Sequence, residues 1–243
     1  MSGRIYLNCK EMISEEFRNL TELGVGVQSS TMQDKDVRKN EDFKTKELIG
    51  NSFTILDTSD KEDMYKVMKE KYNIDIPIEW AKAEFIERIT RKRLNPGTAW
   101  KIRESVWKEF LHNNKFSYTY NERISTHLNR VIRELWKNQN SRQAIVSIYN
   151  IEKDIKNMGG KKRIPCSMFY QFLIREINGV KKLNIIYVMR SSDLLTHFVN
   201  DVYLAMRMQE FVAEKIDIPP GSFTMFISSF HAYYKDLKRY NIF

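Results

Sequence analysis

The 243-residue sequence predicts an α/β or α+β protein, in which helices and strands alternate around a central sheet. Several segments carry apolar residues at helical spacing, and short runs rich in β-branched and aromatic residues lie between them. Hydrophobic residues make up 42% of the chain, and neither an internal repeat nor a Pro/Gly-rich linker interrupts it. We therefore expect residues 1–243 to form a single domain.

The first half of the chain contains three predicted helices and one predicted strand. Apolar spacing predicts helices over residues 11–23 and 61–72, and the run over residues 47–56 is typical of a strand. Pro77 is placed in the first turn of a third helix, before residues 79–86, because proline is tolerated where the backbone N–H has no helical partner.

The second half begins with an amphipathic helix and continues with strands. The helix is predicted over residues 122–138, with one apolar side that comprises Ile124, Leu128, Val131, Leu135 and Trp136. Strands are predicted over residues 144–149, 170–174, 183–189 and 223–228. A long helix over residues 201–216 is expected to end before Pro219, Pro220 and Gly221.

Composition narrows the class of protein. Cys9 and Cys166 are the only cysteines, so we expect a reduced compartment rather than a disulfide framework. The net charge of +9 comes from basic residues that are mixed with 31 acids along the whole chain, which favours a mononucleotide phosphate site over binding of a nucleic-acid polymer. No apolar run approaches the length of a membrane span, so we expect a soluble, cytoplasmic protein without membrane contact.

Four short blocks carry candidate chemistry. Cys166 lies in the first, Arg163-Ile164-Pro165-Cys166-Ser167-Met168-Phe169-Tyr170-Gln171-Phe172; the others are Arg190-Ser191-Ser192-Asp193, Asn200-Asp201 and Ser229-Phe230-His231-Ala232-Tyr233. A cysteine is a nucleophile as its thiolate, which needs positive neighbours, and Arg142, Arg163 and Arg190 are candidates for that role. Alone, the cysteine would more simply be a small core residue.

In their order and approximate spacing, these blocks resemble elements of the thymidylate synthase superfamily, most closely its phage deoxycytidylate hydroxymethylase branch. The resemblance covers about residues 122–234. It implies a thymidylate synthase-like fold with a mixed sheet flanked by helices, and a sheet-mediated homodimer with shared active sites. It also implies 5,10-methylenetetrahydrofolate as cofactor and a pyrimidine nucleoside monophosphate as substrate, most simply dCMP converted to 5-hydroxymethyl-dCMP. In this chemistry Cys166 adds to carbon 6 of the ring, which activates carbon 5.

The resemblance assigns the phosphate contacts residue by residue. It implies that Arg142 reaches the substrate phosphate of the neighbouring subunit, while Gln143 stands where the family has a second arginine. Arg190 and Ser191 match phosphate ligands of the same subunit. The corresponding amino-terminal arginine has only Arg38 or Lys39 as candidates.

Other residues match contacts to the rest of the substrate and to the pterin. Gln171 matches the substrate-binding Gln-Phe element, and Asp193 matches an acid that orders water and the pterin. His231 and Tyr233 match the pair that binds the sugar 3′-hydroxyl. Ser229 lies where thymidylate synthases tend to have an aspartate. The other histidines, His112, His127 and His197, show no metal spacing, so no metal is expected.

Asp201 bears on the choice of base. Thymidylate synthases have asparagine at this position, and an amide can donate to a uracil carbonyl and accept from its ring N–H. Cytosine presents an amino donor and a bare ring nitrogen, which a carboxyl group that shares a proton satisfies. The pair Asn200-Asp201 is similar to that of the hydroxymethylases. The alternative is that Asn200 or Asp201 is only a helix N-cap.

The family's proton-relaying glutamate has no direct counterpart. Counted from Trp80, its position is Pro77, and Glu79 or Glu84 is expected to substitute on the same helix. Two other functions therefore stay open: thymidylate synthase-like methylation of dUMP, and a catalytically silent nucleotide-binding homologue. The hydroxymethylase reading implies phage DNA modification, with the host cytoplasm of an infected cell as the location.

Overall fold

The structure is a computed structural model that describes residues 3–29, 31–32, 35–158 and 162–242. Its strands are β1 (Arg4–Tyr6), β2 (Val25–Gln28), β3 (Thr31–Met32), β4 (Lys35–Asp36), β5 (Lys44–Ile55), β6 (Ile145–Ser147), β7 (Ser167–Ile177), β8 (Val180–Asp193) and β9 (Pro220–Tyr233). Its α-helices are α1 (Cys9–Leu23), α2 (Asp63–Tyr72), α3 (Ile78–Ile89), α4 (Glu104–Trp107), α5 (Tyr120–Lys137), α6 (Ile151–Asp154), α7 (Val199–Ile216) and α8 (Tyr234–Arg239).

Seven of these strands form one mixed sheet. The order of the strands is β1-β5-β9-β8-β7-β6, and β2 pairs with residues 44–47 at the start of β5. β8 and β9 run parallel, whereas β7 is antiparallel to β8 and β5 is antiparallel to β9. The predicted central sheet flanked by helices is therefore confirmed.

The helices cover one face of this sheet. Alternate residues of β7, β8 and β9 point to that face and are fully buried, among them Tyr170, Tyr187 and Phe223. Residues on the other face of the same strands are only half-buried, and Phe226 is 39% exposed. The core thus lies between the sheet and the helices, and an apolar sheet face is left without a helical layer.

Strand directions bring the candidate residues together at one end of the sheet. Because β7 is antiparallel to β8, the residue before β7, Cys166, meets the end of β8, where the backbone N–H of Arg190 donates to the carbonyl of Cys166 at 2.8 Å. Because β8 and β9 are parallel, Asp193 pairs with His231. Sequence blocks that are up to 65 residues apart thereby lie together at one end of the sheet.

Most predicted elements are confirmed with shifted ends, and three expectations are wrong. Trp136 is 58% exposed, and its indole N–H donates to the Lys215 carbonyl instead of packing in the core. Pro77 is the N-cap of α3, one residue before the helix. The last strand continues through Tyr233, so His231 belongs to β9 and not to a segment after it.

Helix α7 differs from expectation at both ends. A π-helical turn over Leu194–Phe198 leads directly into it. It ends at Ile216, where Asp217 adopts the left-handed conformation, so the prolines that follow do not themselves end it.

Candidate active site

Two hydrogen-bond donors lie at the Cys166 sulfur. Ser191 Oγ lies 3.5 Å from Sγ, and Nη2 of Arg190 lies 3.7 Å from it. Cys166 is half-buried in the bend that leads into β7. A guanidinium and a hydroxyl at these distances stabilise negative charge on sulfur, as a nucleophilic cysteine requires.

Arg190 is held in place by the backbone of the cysteine loop. Its Nε donates to the carbonyl of Pro165 and its Nη2 to that of Ile164, each at 3.0 Å. Its Nη1 donates to Ser191 Oγ at 3.2 Å. The other two arginines that the sequence offered do not contact the sulfur: Arg163 is stacked on aromatic rings, and Arg142 is exposed before β6. Arg190 is therefore the cation at Cys166.

Asp201 is a half-buried acid with a raised pKa. Its carboxyl lies in the first turn of α7, and Ser192 Oγ donates to its Oδ2 at 2.8 Å. Burial raises the pKa of Asp201 to about 7, although the Ser192 hydrogen bond and the charges of Arg88 and Arg103 oppose this shift. The carboxyl can thus be present with or without its proton near neutral pH.

The helix-cap alternative for Asn200 and Asp201 does not match the geometry. The cap of the π-helical turn is Asp193, whose carboxylate accepts from the backbone N–H of Leu195 at 3.0 Å. Asn200 is buried and its Oδ1 accepts from the hydroxyl of Tyr65 at 3.0 Å, while its Nδ2 has no partner within the described residues. Asp193 therefore has a structural role as the cap of this turn, while its predicted role toward water and the pterin stays a prediction.

Glu84, rather than Glu79, lies at a cavity. Glu79 is exposed in the first turn of α3, whereas Glu84 is one of the residues around a cavity between α3 and the chain before α5. Burial raises the pKa of Glu84, and the neighbouring charge of Arg88 lowers it. The structure thus separates two glutamates that the sequence left equivalent.

Aromatic rings form most of this cavity's wall. The rings of Trp80 and Trp107 are stacked with their centres 5.9 Å apart, and the guanidinium of Arg163 lies 4.7 Å from the centre of the Trp107 ring. The other aromatic or charged residues of the wall are Trp100, Phe116, Tyr118, Tyr120, Glu87 and Arg88. Flat rings with adjacent cationic and acidic groups suit a planar, polar heterocycle such as a pterin.

Tyr120 connects the cavity to the cysteine. Its ring is part of the cavity wall, and Ser167, the residue after Cys166, lies with its Oγ 3.4 Å from the Tyr120 hydroxyl. Burial raises the pKa of Tyr120, and negative charges on Tyr118, Cys166 and Asp201 raise it further. Tyr120 thus lies in the cavity wall and close enough to Cys166 and Asp201 for their charges to affect its pKa.

The predicted sugar-binding pair lies beside this site. His231 and Tyr233 follow each other on one side of β9, with ring centres 5.5 Å apart. Nδ1 of His231 lies 3.4 Å from the Ser229 carbonyl. His197 faces Trp107 with its ring centre 6.0 Å away, and burial together with Arg103 and Arg163 lowers its pKa to about 3, so this ring is neutral.

Arg142 and Gln171 lie apart from the cavity. Gln171 points to the half-buried face of the sheet, and its Nε2 donates to the Arg142 carbonyl at 2.9 Å. The Arg142 side chain is exposed on the loop before β6. Arg38 is also exposed and pairs with Asp36, so neither arginine is gathered into the site of its own subunit.

Two arginines that the sequence did not indicate lie near the site, Arg88, which is buried, and Arg103, which is half-buried. Arg88 pairs with Glu84 and Arg103 donates to the Thr196 carbonyl at 3.2 Å, while Nη1 of Arg103 is buried without a partner among the described residues. The spacing of Glu84 and Arg88, four residues apart on a helix, was the available signal for the first. Sequence offers no comparable signal for Arg103.

Two further searches concern metals and membranes. In residues 3–29, 31–32, 35–158 and 162–242, no group of three or more His, Cys, Asp or Glu side chains is arranged to hold a metal ion. Across the same ranges, no helix has the length and apolar character to cross a membrane.

The chain is similar to known proteins of one family. The family model described as thymidylate synthase matches residues 40–242. A Methanocaldococcus jannaschii protein named "Putative thymidylate synthase" is 30% identical over 131 residues, which cover 54% of this chain and 57% of the relative. A Methanosarcina barkeri protein of the same name is 29% identical over 127 residues, which cover 50% and 55%. The chain thus spans little more than half the length of these relatives.

A solved structure extends the likeness to the whole fold. Thermostable thymidylate synthase A from Bacillus subtilis superposes with a TM-score of 0.69, over 97% of this chain and 83% of that chain, at 14% identity. This confirms the expected fold. The predicted closeness to the phage hydroxymethylase branch stays a prediction, since the relatives above carry the thymidylate synthase name.

Proposed function

Because the chain belongs to the thymidylate synthase family, we propose that it transfers a one-carbon unit from 5,10-methylenetetrahydrofolate to carbon 5 of a pyrimidine nucleoside monophosphate. The preferred reaction is conversion of dCMP to 5-hydroxymethyl-dCMP. The observation that carries this choice is the half-buried carboxyl of Asp201, whose pKa of about 7 lets it hold a proton.

Asp201 suits cytosine better than uracil. A protonated carboxyl donates through its hydroxyl to the bare ring nitrogen of cytosine and accepts from the amino group through its other oxygen. Uracil has a ring N–H and a carbonyl at these positions, so the ionised carboxylate, which only accepts, would leave the uracil carbonyl without a donor, and uracil offers no basic ring nitrogen with which the acid could share its proton.

Cys166 is the proposed nucleophile. Its thiolate attacks carbon 6, and the electron pair of the ring double bond moves toward carbon 5, which then attacks the one-carbon unit. Arg190 and Ser191 hold the sulfur and, in this proposal, also bind the substrate phosphate through their remaining donors. Folate, when bound, supplies the one-carbon unit at the oxidation level of formaldehyde.

Glu84 is the proposed proton carrier and activator of water. It is near the aromatic cavity that suits the pterin and is ion-paired with a buried arginine. A hydroxymethyl product requires water to add to the one-carbon unit, and a carboxylate can remove a proton from that water. Glu79, which is exposed, is not proposed for this role.

The sheet face without helices supports a homodimer. Its half-buried apolar residues are Phe169, Leu173, Ile186, Val188 and Phe226. A two-fold dimer through this face would cover them, and the exposed Arg142 beside it would then be free to reach the phosphate in the partner's site. His231 and Tyr233 are proposed to bind the sugar 3′-hydroxyl, and Asp193 to order water near the pterin.

Product analysis tests the proposal. The protein is incubated with methylenetetrahydrofolate and dCMP, CMP or dUMP, and the nucleotides are analysed by mass spectrometry, while tritium release from carbon 5 is followed in parallel. A hydroxymethyl product from dCMP supports the assignment. A methyl product from dUMP would instead identify a thymidylate synthase, and no tritium release from any nucleotide would indicate a catalytically silent homologue.

A further inference from the structure

Arg88 is a buried cation to which the proposed reaction assigns no role. It lies on α3, one turn after Glu84, and only 3% of it is exposed. Its Nε lies 2.9 Å from Oε1 of Glu84. A charge buried this deeply is costly unless it is paired, so its retention calls for a specific set of partners.

Those partners come from two further elements. The guanidinium lies 4.0 Å from the centre of the Tyr120 ring on α5, and its Nη1 lies 3.4 Å from the hydroxyl of Tyr170 on β7. Burial alone would lower the pKa of Arg88, but Glu84 and the neighbouring tyrosine hydroxyls raise it, so the side chain stays charged. Arg88 is thus fixed on three sides.

The tyrosines extend this contact to the cysteine strand. The rings of Tyr170 and Tyr187 are stacked with centres 4.5 Å apart, and the Tyr187 hydroxyl is hydrogen-bonded to Ser167 Oγ. Ser167 is also within 3.4 Å of the Tyr120 hydroxyl and directly follows Cys166. A continuous set of polar contacts therefore joins Glu84 to the residue next to the nucleophile through the inside of the core.

We propose that Arg88 is a positioning residue that holds the Glu84 carboxylate oriented for proton transfer at the site of Cys166. This inference rests on the proposed function. Arg88 does not line up with any motif of the sequence analysis; it is assigned from its contacts alone. A flexible carboxylate in an aromatic cavity would populate several rotamers, and one charged hydrogen bond from a fixed guanidinium selects among them.

The charges around Glu84 decide what removal of Arg88 does. Glu87 on the same helix raises the pKa of Glu84, and Arg163, in the segment before β7, lowers it together with Arg88. Asp201 on α7 also has its pKa lowered by Arg88. Loss of Arg88 should therefore raise the pKa of both acids. In a profile of kcat against pH, the limb that belongs to Glu84 is the one that disappears in Glu84→Gln.

The test compares Arg88→Met, Arg88→Lys, Glu84→Gln and the double variant Arg88→Met/Glu84→Gln by tritium release from dCMP between pH 5 and 9. We expect Arg88→Met to lower kcat about 10- to 100-fold, with KM for dCMP changed less than about threefold because the nucleotide contacts are elsewhere. The Glu84 limb should shift to higher pH, and Arg88→Lys should restore part of kcat. The double variant should be no slower than Glu84→Gln, because both changes remove one function.

Arg4→Met is the matched control, since it breaks the ion pair of a half-buried arginine with a buried glutamate, Glu16, away from the cavity, and it should leave the Glu84 limb of the pH profile unshifted. The proposal would be overturned if the Glu84 limb did not shift in Arg88→Met. It would also be overturned if Arg88→Met lowered kcat as much in the Glu84→Gln background as in the parent. If Arg88→Met does not fold, Tyr170→Phe removes a partner of the guanidinium without removing charge and should lower kcat in the same direction. Titration of Glu84 by carbon-13 NMR decides the matter even for a protein that releases no tritium: its midpoint must rise in Arg88→Met relative to the parent and rise less in Arg88→Lys, which keeps the charge, and an unchanged midpoint in Arg88→Met would refute the role.

Discussion

Ser192 donates a 2.8 Å hydrogen bond to the half-buried carboxyl of Asp201. The two residues belong to different elements, the end of β8 and the first turn of α7, so the strand fixes the acid of the helix. The partner is a neutral hydroxyl instead of a guanidinium in direct contact, which leaves the carboxyl able to take up a proton. In the proposed function, recognition of the base would thereby depend on the protonation of one side chain.

Replacement of Asp201 by asparagine should change the preferred base. An amide both donates and accepts but cannot supply a hydroxyl proton to cytosine, so Asp201→Asn should lose kcat/KM for dCMP and gain relative activity toward dUMP, by about 10- to 100-fold in the ratio. Measurement of kcat/KM for both nucleotides on parent and variant checks this. Glu210→Gln, an equivalent change farther along α7, should leave the ratio unaltered. A parent that already prefers dUMP would contradict the choice of cytosine.

The pH dependence of the parent should show the same acid. The pKa of Asp201 is raised to about 7, so the protonated form dominates below pH 7 and is lost above it. If the protonated acid binds cytosine, kcat/KM for dCMP should fall by about tenfold per pH unit well above pH 7. Asp201→Asn, which cannot ionise, should lack this limb. Persistence of the limb in the variant would assign it to another group.

The raised pKa of Asp201 also makes the stability of the folded protein depend on pH. An acid whose pKa is higher in the folded than in the unfolded protein makes the folded state bind the proton more tightly, so its contribution to stability declines as pH rises from about 4 to about 7. Asp201→Asn should therefore gain stability relative to the parent as pH increases over this interval. Urea unfolding at pH 5 and pH 8 measures the difference, and a parent-to-variant gap that is equal at both values would exclude a raised pKa.

The sequence predicted the parts of the site that depend on short contiguous motifs. Cys166, Arg190 and His231 lie where strand ends meet, and the order of the blocks sufficed to associate them. The sequence did not decide whether Glu79 or Glu84 replaces the family's glutamate. The position of that glutamate was counted from Trp80, but Trp107 is stacked on Trp80 and is equally part of the cavity wall. Which tryptophan anchors a motif is a property of packing, and a single sequence does not contain it.

Other features depend on tertiary contacts that leave no periodic signal. Trp136 has the right spacing for the core side of α5 but lies at its edge, where its N–H is satisfied by a carbonyl of α7. The π-helical turn before α7 moves the capping role to Asp193, eight residues before Asp201. One extra residue in a helical turn changes which side chain caps, and apolar periodicity does not reveal such an insertion.

Asp193 provides a test of capping against ligand binding. Asp193→Ala removes the acceptor for the Leu195 N–H and should lower the free energy of unfolding by about 1 kcal/mol, or Tm by about 2–4 °C. Asp193→Asn keeps an acceptor and should keep most of the stability. Thermal unfolding measures the loss of stability, while KM for the folate measures a role of Asp193 in binding the pterin. A change in KM in Asp193→Asn without a change in Tm would reveal a role toward the pterin that is separate from the cap.

Cysteine substitutions distinguish the nucleophile from a core thiol. Cys166→Ala should lower tritium release by at least about a thousandfold while nucleotide binding, measured by calorimetry, is retained, because the addition step is lost and the pocket is not. Cys9→Ala is the matched control: Cys9 is buried in α1 with its sulfur beside Met206, so its loss should lower stability but leave kcat within about threefold. Residual activity of Cys166→Ala within tenfold of the parent would rule out covalent catalysis by this residue.

The exposed position of Arg142 leads to a prediction about subunit exchange. If Arg142 serves the partner's site, Arg142→Ala should be inactive through weakened phosphate binding, by about 10- to 100-fold in KM. Mixed with inactive Cys166→Ala, it should regain activity, because one of the two sites in a hybrid dimer then combines an intact Cys166 from one subunit with an intact Arg142 from the other. Cys166→Ala mixed with Glu84→Gln is the control: both residues belong to the same subunit's site, so every hybrid site carries one defect and no activity should return. Mass spectrometry of differently tagged subunits verifies exchange. Equal recovery in both mixtures, or none in the first despite exchange, would show that Arg142 does not complete a neighbouring site.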